Sequence, residues 1–245
     1  MNITTGKKIF LSQANGVVPA NKPIVFWDTC ALLDLARTPL LDRTNLSFAT
    51  LQEYEQIEQW INSDRLTSVT SDLVLREFSE HIDHIASSLS TQEQKTKNEV
   101  KEQTLFMTDL SRARKINQSI DGLDVQKKVI AIVKKIWSHT ILLRGQNSFA
   151  LSADYRVRNY IKPSGGKESY KDCYIWYSYI SLLREVNPLG PTFFFTTNPS
   201  DFAENKKSIN LHPDLKAELP FAQSSFALNM SVLHGKLLQY FRIHP

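Results

Sequence analysis

The sequence predicts an α/β protein: a parallel sheet flanked by helices, with an α-helical hairpin inserted into it. Three observations predict it. Two short apolar runs, Pro23-Ile-Val-Phe-Trp27 and Thr192-Phe-Phe-Phe-Thr-Thr197, read as strands buried on both faces. Stretches with apolar residues three and four apart lie between them and read as helices. Strand, helix, helix, strand, helix at the start of the chain then implies parallel neighbours joined by right-handed crossovers.

The elements follow in order. The first strand ends at Asp28, and Thr29 to Ala36 changes to helical composition with Leu32, Leu33 and Leu35 apolar and Asp34 facing out. Leu51 to Ile61 is an amphipathic helix carrying Tyr54, Ile57, Trp60 and Ile61 on one side. Arg65 to Thr70 is a second β-type run, and Ser71 N-caps a helix with Leu73, Val74, Phe78 and Ile82. Thr91 to Arg144 has no β signal, no Pro and one Gly, and Asp121-Gly122 breaks it in two. We read it as the inserted hairpin within a single 1–245 domain. Ser152 to Ile161 is a short helix, Pro163 to Ser169 a loop, and Ser169 begins a helix striped by Cys173, Trp176, Tyr177, Ile180 and Leu183. Asp172 completes an S-x-x-D capping box there. The Asn187 to Pro191 breaker precedes the Phe-Phe-Phe strand, and a last helix runs roughly from Ala227 to Phe241.

Composition narrows the function. With 245 residues, 42% of them apolar, and only eight Gly and ten Pro, the chain is neither disordered nor fibrous. No run approaches the roughly 18 apolar residues of a membrane span, and the first residues lack a secretory apolar region. Two cysteines make no disulfide framework, so a cytoplasmic protein with reduced thiols is expected. Charge is unevenly spread: Met1 to Gln94 carries a net of −5, Lys95 to Arg144 +6 and Gly145 to Pro245 +3. The basic middle segment suits phosphate binding, and equally an ordinary solvated helix face.

Chemistry concentrates at the strand ends. Asp28 closes the first strand, while Asn198 and Asp201 follow the Phe-Phe-Phe strand. Sites in open parallel sheets form outside the carboxyl ends of the strands, which predicts that these groups converge. Glu77 and Asp172 lie near the N-termini of two helices that would cross the same sheet edge. Gathered carboxylates repel unless a cation neutralises them. Oxygen donors without a Cys or His pattern suit Mg²⁺ or Mn²⁺. Such a site can bind a phosphodiester, activate water and stabilise an in-line displacement.

Each residue also has a plainer reading. Asp28 and Asp172 could be helix caps, Glu77 a solvated helix residue and Asn198 a turn residue before Pro199. Glu77, Glu80, His81 and His84 share a helical face that could bind Zn²⁺, though without H-E-x-x-H spacing. Gly165-Gly166-Lys167 lacks the spacing of a phosphate loop and reads instead as a basic flap, with Lys167 and Lys171 on the substrate backbone. Tyr155, Arg156, Arg158 and Tyr160 combine stacking and phosphate-binding groups. Cys30 and Cys173, with no nearby His, read as buried apolar fillers.

IVFWDTCALLDL, DLVLREF, KDCYIWYSYI and FFFTTNPSDF together resemble, in order, the four motifs of PIN-domain ribonucleases over Ile24 to about Phe202. The similarity is to larger bacterial PIN-like proteins with a helical insertion between the second and third motifs. It implies a PIN-like parallel sheet, Asp28, Glu77 and Asp172 as Mg²⁺- or Mn²⁺-binding catalytic acids, and Thr29 as the adjacent positioning hydroxyl. The family's usual T-x-D is here Thr196-Thr-Asn198, so either Asn198 or Asp201 takes the fourth catalytic position. The expected activity is endoribonuclease; Thr29, Thr196, Lys167, Lys171, Arg156 and Arg158 are the candidate substrate-binding residues. RNA, single-stranded or structured, is the expected partner. A homo-oligomer or a cognate inhibitor protein is compatible with the sequence. Two alternatives stand beside this: a degenerate PIN module that binds RNA or a protein without cutting, and a DNA-directed 5′-nuclease relative.

Overall fold

The structure, a computed structural model, describes residues 4–41, 48–105, 125–164 and 169–244. Six strands form one wholly parallel sheet: β1 (Lys8–Ile9), β2 (Ile24–Trp27), β3 (Thr67–Ser71), β4 (Ile141–Leu143), β5 (Thr192–Phe195) and β6 (Ser224–Ala227), in the order β1-β4-β3-β2-β5-β6. The helices among the described residues are α1 (Thr29–Leu41), α2 (Phe48–Asn62), α3 (Asp72–Leu105), α4 (Val125–His139), α5 (Asn147–Arg158), α6 (Tyr170–Val186), α7 (Pro199–Phe202), α8 (Pro213–Glu218) and α9 (Met230–Ile243), with a 3₁₀ turn at Leu11–Gly16.

Residues of β2 and β5 are buried throughout, as their unbroken apolar runs require of central parallel strands. The register sets Phe26 beside Phe194 and Trp27 beside Phe195. Phe26 and Phe194 stack at 6.2 Å between centroids, and Trp176 of α6 meets Phe194 edge-on at 5.2 Å. This aromatic block clamps α6 to the sheet centre and thereby fixes the height of its N-terminus. The chain passes from β2 to β3 on one side and reaches β5 on the other, so the strand order reverses beside β2. That reversal opens a crevice at the carboxyl ends of the strands.

Three short strands depart from the sequence reading. β4 lies inside Thr91 to Arg144, where no β signal is visible, and β1 and β6 flank the sheet. At two to four residues each, they are too short to show a period. α4, read as the second arm of an inserted hairpin, buries Val133, Ile136 and Trp137 completely in the main core, Trp137 against Phe78 of α3 at 5.1 Å. It is part of the crossover from β3 to β4. The helix begun by Ser71, whose Oγ accepts from Val74 N at 3.4 Å, continues unbroken to Leu105, and the Asp121-Gly122 break lies outside the described residues. The last helix starts at Met230, because Asn229 accepts from Val232 N at 2.9 Å and caps it, while Ala227 still belongs to β6. Among the described residues no helix is long and apolar enough to cross a membrane.

Candidate active site

β2 carries Asp28 to the crevice. Its backbone N–H donates to Phe195 O at 2.9 Å, which extends the β2–β5 ladder by one residue and holds the side chain at the strand end. The carboxylate is 1% exposed. Thr196 Oγ1, one residue beyond β5, donates to Asp28 Oδ2 at 2.6 Å, and Thr29 N donates to Oδ1 at 2.7 Å. Burial nevertheless dominates and raises the Asp28 carboxyl to about 6, with the Thr196, Thr29 and Cys30 donors opposing the rise and Glu77 adding to it.

Glu77 comes in from the second turn of α3. Thr29 Oγ1 donates to its Oε2 at 2.6 Å, and Lys171 Nζ sits 2.6 Å from its Oε1. That ion pair raises the Lys171 ammonium above its ordinary value. Asp172 follows Lys171 in the first turn of α6. Burial, then the charges of Asp28, Asp201 and Glu77, push Asp172 up to about 8. Four carboxylates carried by separate segments therefore act on one another across a single crevice.

At the fourth position Asn198 and Asp201 are joined: Asn198 Nδ2 donates to Asp201 Oδ2 at 2.6 Å, and Ser200 Oγ donates to Asn198 Oδ1 at 2.6 Å. Asn198 N in turn donates to Thr196 Oγ1 at 3.0 Å, which ties this turn to Asp28. Asp201, not the neutral Asn198, contributes a charge felt by Asp172.

The remaining sequence-derived candidates divide. Thr29, Thr196 and Lys171 stand within the acidic cluster, bound to its carboxylates. Arg156 does not face the crevice's solvent: it is 8% exposed, and its guanidinium binds Glu218 and Lys162 O, with Trp176 Nε1 donating to the same Glu218 at 2.8 Å. A paired, buried arginine and a solvent-facing one look alike in sequence, and this one fastens α5 to α8 under α6. Arg158 is exposed and pairs with Asp154 on its own helix at 2.9 Å. Lys167 lies outside the described residues.

Sequence reasoning missed three contributors. Asp34, read as facing out, is half-buried and accepts from Thr197 Oγ1 at 2.5 Å. Cys30, read as an apolar filler, donates to Asp28 and is half-buried; burial and then Asp28, Asp172 and Asp34 push its thiol far above the ordinary range. The signal was available: Cys30 and Asp34 are four apart and share a helix face. Ser169 makes no capping bond to the helix; its hydroxyl donates to Asp172 Oδ2 instead. Cys173 is fully buried, with its thiol raised to about 11 chiefly by burial, so the reactive thiolate form is disfavoured at both cysteines.

Among the described residues no three His, Cys, Asp or Glu side chains stand at metal-holding geometry, here or on the face shared by Glu80, His81 and His84. The crevice acids are engaged by Thr, Ser, Lys and Asn donors. Their chemistry still fits a hard divalent cation: all are oxygen donors, and Asp172 is destabilised by three like charges.

The family model of the PIN domain matches residues 25–202, most of the chain, and spans Asp28, Glu77, Asp172 and Asp201. No curated protein and no solved structure matches it. The chain belongs to the PIN-domain family, whose members are in general nucleases.

Proposed function

We propose that this protein is a metal-dependent endoribonuclease of the cytoplasm. One observation carries the reading: Asp28, Glu77, Asp172 and Asp201 come from four distant segments to one crevice, where burial first and then the other three charges push Asp172 up to about 8. A fold gains nothing from such repulsion unless the charges serve a ligand. Asp28, Glu77 and Asp172 would hold Mg²⁺ or Mn²⁺, with Asp201 supplying the fourth acid that Asn198 does not. Bound there, the ion supplies Lewis acidity toward the phosphodiester and lowers the pKa of water.

The protein's own groups set the geometry. Thr196 and Thr29 fix both oxygens of Asp28, and Thr29 also fixes Glu77, so one residue orients two acids. Water attacks phosphorus, the bond to the 3′ oxygen breaks, and the proton lost by the water ends on that oxygen. Cleavage therefore leaves a 5′-phosphate and a 3′-hydroxyl. Two free thiols, Cys30 and Cys173, support a reducing compartment.

The deciding experiment is an RNA cleavage assay of wild type and Asp172→Asn with and without Mg²⁺ or Mn²⁺. Metal-dependent turnover lost in the variant, with the fold and RNA binding kept, supports the reading. Metal-independent binding without turnover favours a non-cleaving module, the alternative raised by Asn198. Preference for flapped or branched DNA over single-stranded RNA favours a DNA-directed 5′-nuclease.

A further inference from the structure

Glu77 has an occupied position at each oxygen, and the two occupants differ in kind. The Thr29 hydroxyl on Oε2 belongs to a 7% exposed residue at the start of α1. The Lys171 ammonium on Oε1 belongs to a side chain that is 59% exposed, against 13% for Glu77 itself. The hydroxyl is thus built into the wall of the crevice, while the ammonium reaches in from solvent on a flexible stem. Asp172 and Glu80 also lie within electrostatic reach of that ammonium.

An ammonium and a divalent cation cannot share one carboxylate oxygen, since two positive charges within about 4 Å repel. The pair is also easy to part at its lysine end, because an ammonium held on so exposed a stem is screened by solvent and contributes modestly. A lysine suits such exchange better than an arginine: it is a compact point charge with rotatable donors and no bidentate lock. Once displaced, its exposed side chain remains next to Asp172 in sequence, on the solvent side of the crevice.

We propose that Lys171 is an exchangeable counter-ion, held on Glu77 until a divalent cation claims that carboxylate and then released to the phosphate backbone of the entering RNA. This rests on the nuclease reading above. It makes cation binding and RNA binding reinforce each other: each raises the affinity for the other by the same factor.

Two measurements on the full chain test it. In calorimetric titration with Mn²⁺ alone, Lys171→Met binds roughly two- to fivefold more tightly than wild type, while Lys171→Arg does not. With a short single-stranded oligoribonucleotide carrying uncleavable linkages, the salt dependence of binding is compared by fluorescence anisotropy. Without Mn²⁺ the slopes of wild type and Lys171→Met agree; with Mn²⁺ the variant's slope is shallower by about 0.7. Equal Mn²⁺ affinity in wild type and Lys171→Met, or a slope difference already present without Mn²⁺, overturns the exchange and leaves the nuclease reading standing. Failure of both proteins to bind Mn²⁺ overturns the two together.

Discussion

Asp28 and Asp172 are the same side chain in two settings. Asp28 sits at the end of a central strand, where a hydroxyl, a backbone N–H and a thiol all donate to it, and its carboxyl rises only to about 6 despite near-total burial. Asp172 sits on a helix turn with the Ser169 hydroxyl for a donor, and burial together with three neighbouring carboxylates lifts it to about 8. Backbone-anchored donors tame a buried charge; charge crowding makes it costly. The strand end is the built half of the site and the helix end the strained half.

The largest effect that tests this contrast comes from Asp172→Asn. Cleavage falls by more than about 10²-fold, because outer partners of a ligand alone account for up to that much. The metal-free protein becomes more stable, its Tm rising by about 2–4 °C for each kcal/mol of repulsion removed. Turnover assays and thermal melts in EDTA give both signs, and a lower Tm would mean Asp172 is not strained.

Next is the pH dependence of stability without metal. Both carboxyls bind protons more tightly folded than unfolded, so the folded state is favoured at low pH. Stability falls as pH rises above the ordinary value of 3.8, through about 6 for Asp28 and on to about 8 for Asp172, then levels off. Denaturant titrations in EDTA from pH 5 to 8.5 should show a loss of a few kcal/mol, with the portion above pH 6 missing in Asp172→Asn. A flat profile would remove the claim of crowding.

Thr196→Val strips the built half of one donor. It costs about 1–3 kcal/mol, as for any buried polar group left unpartnered, and lowers cleavage by about 10–100-fold. Chemical denaturation and single-turnover rates measure the two. Ser169→Ala, the matching change on the helix half, is the mildest: about 0.5–1.5 kcal/mol in the same denaturation experiment. If it equals Thr196→Val, the two halves are held alike.

Legibility followed the same division. β2 and β5 could be read because unbroken apolar runs that long fit a doubly covered strand and little else, and their ends placed Asp28 and Thr196 directly. Glu77 and Asp172 were legible as acids near helix starts in the right order. β1, β4 and β6 were not, because two or three residues, or the mixed Ser-Ser-Phe-Ala of β6, make no unbroken apolar run of that length and gain their strand state from the neighbours they pair with. The stripe of α4 was visible, but a stripe does not name the surface that covers it. Arg156 misled because its partner, Glu218, is 62 residues away. The Lys171–Glu77 pair was hidden for the same reason.

The bond from Thr196 to Asp28 spans 168 residues of chain. During synthesis the amino-terminal acids leave the ribosome long before the hydroxyl that orients them, and β5 must pair beside β2 before the crevice has its second wall. A chain that stops short of this strand therefore leaves Asp28 without its Thr196 donor and without the β5 pairing that holds its strand end.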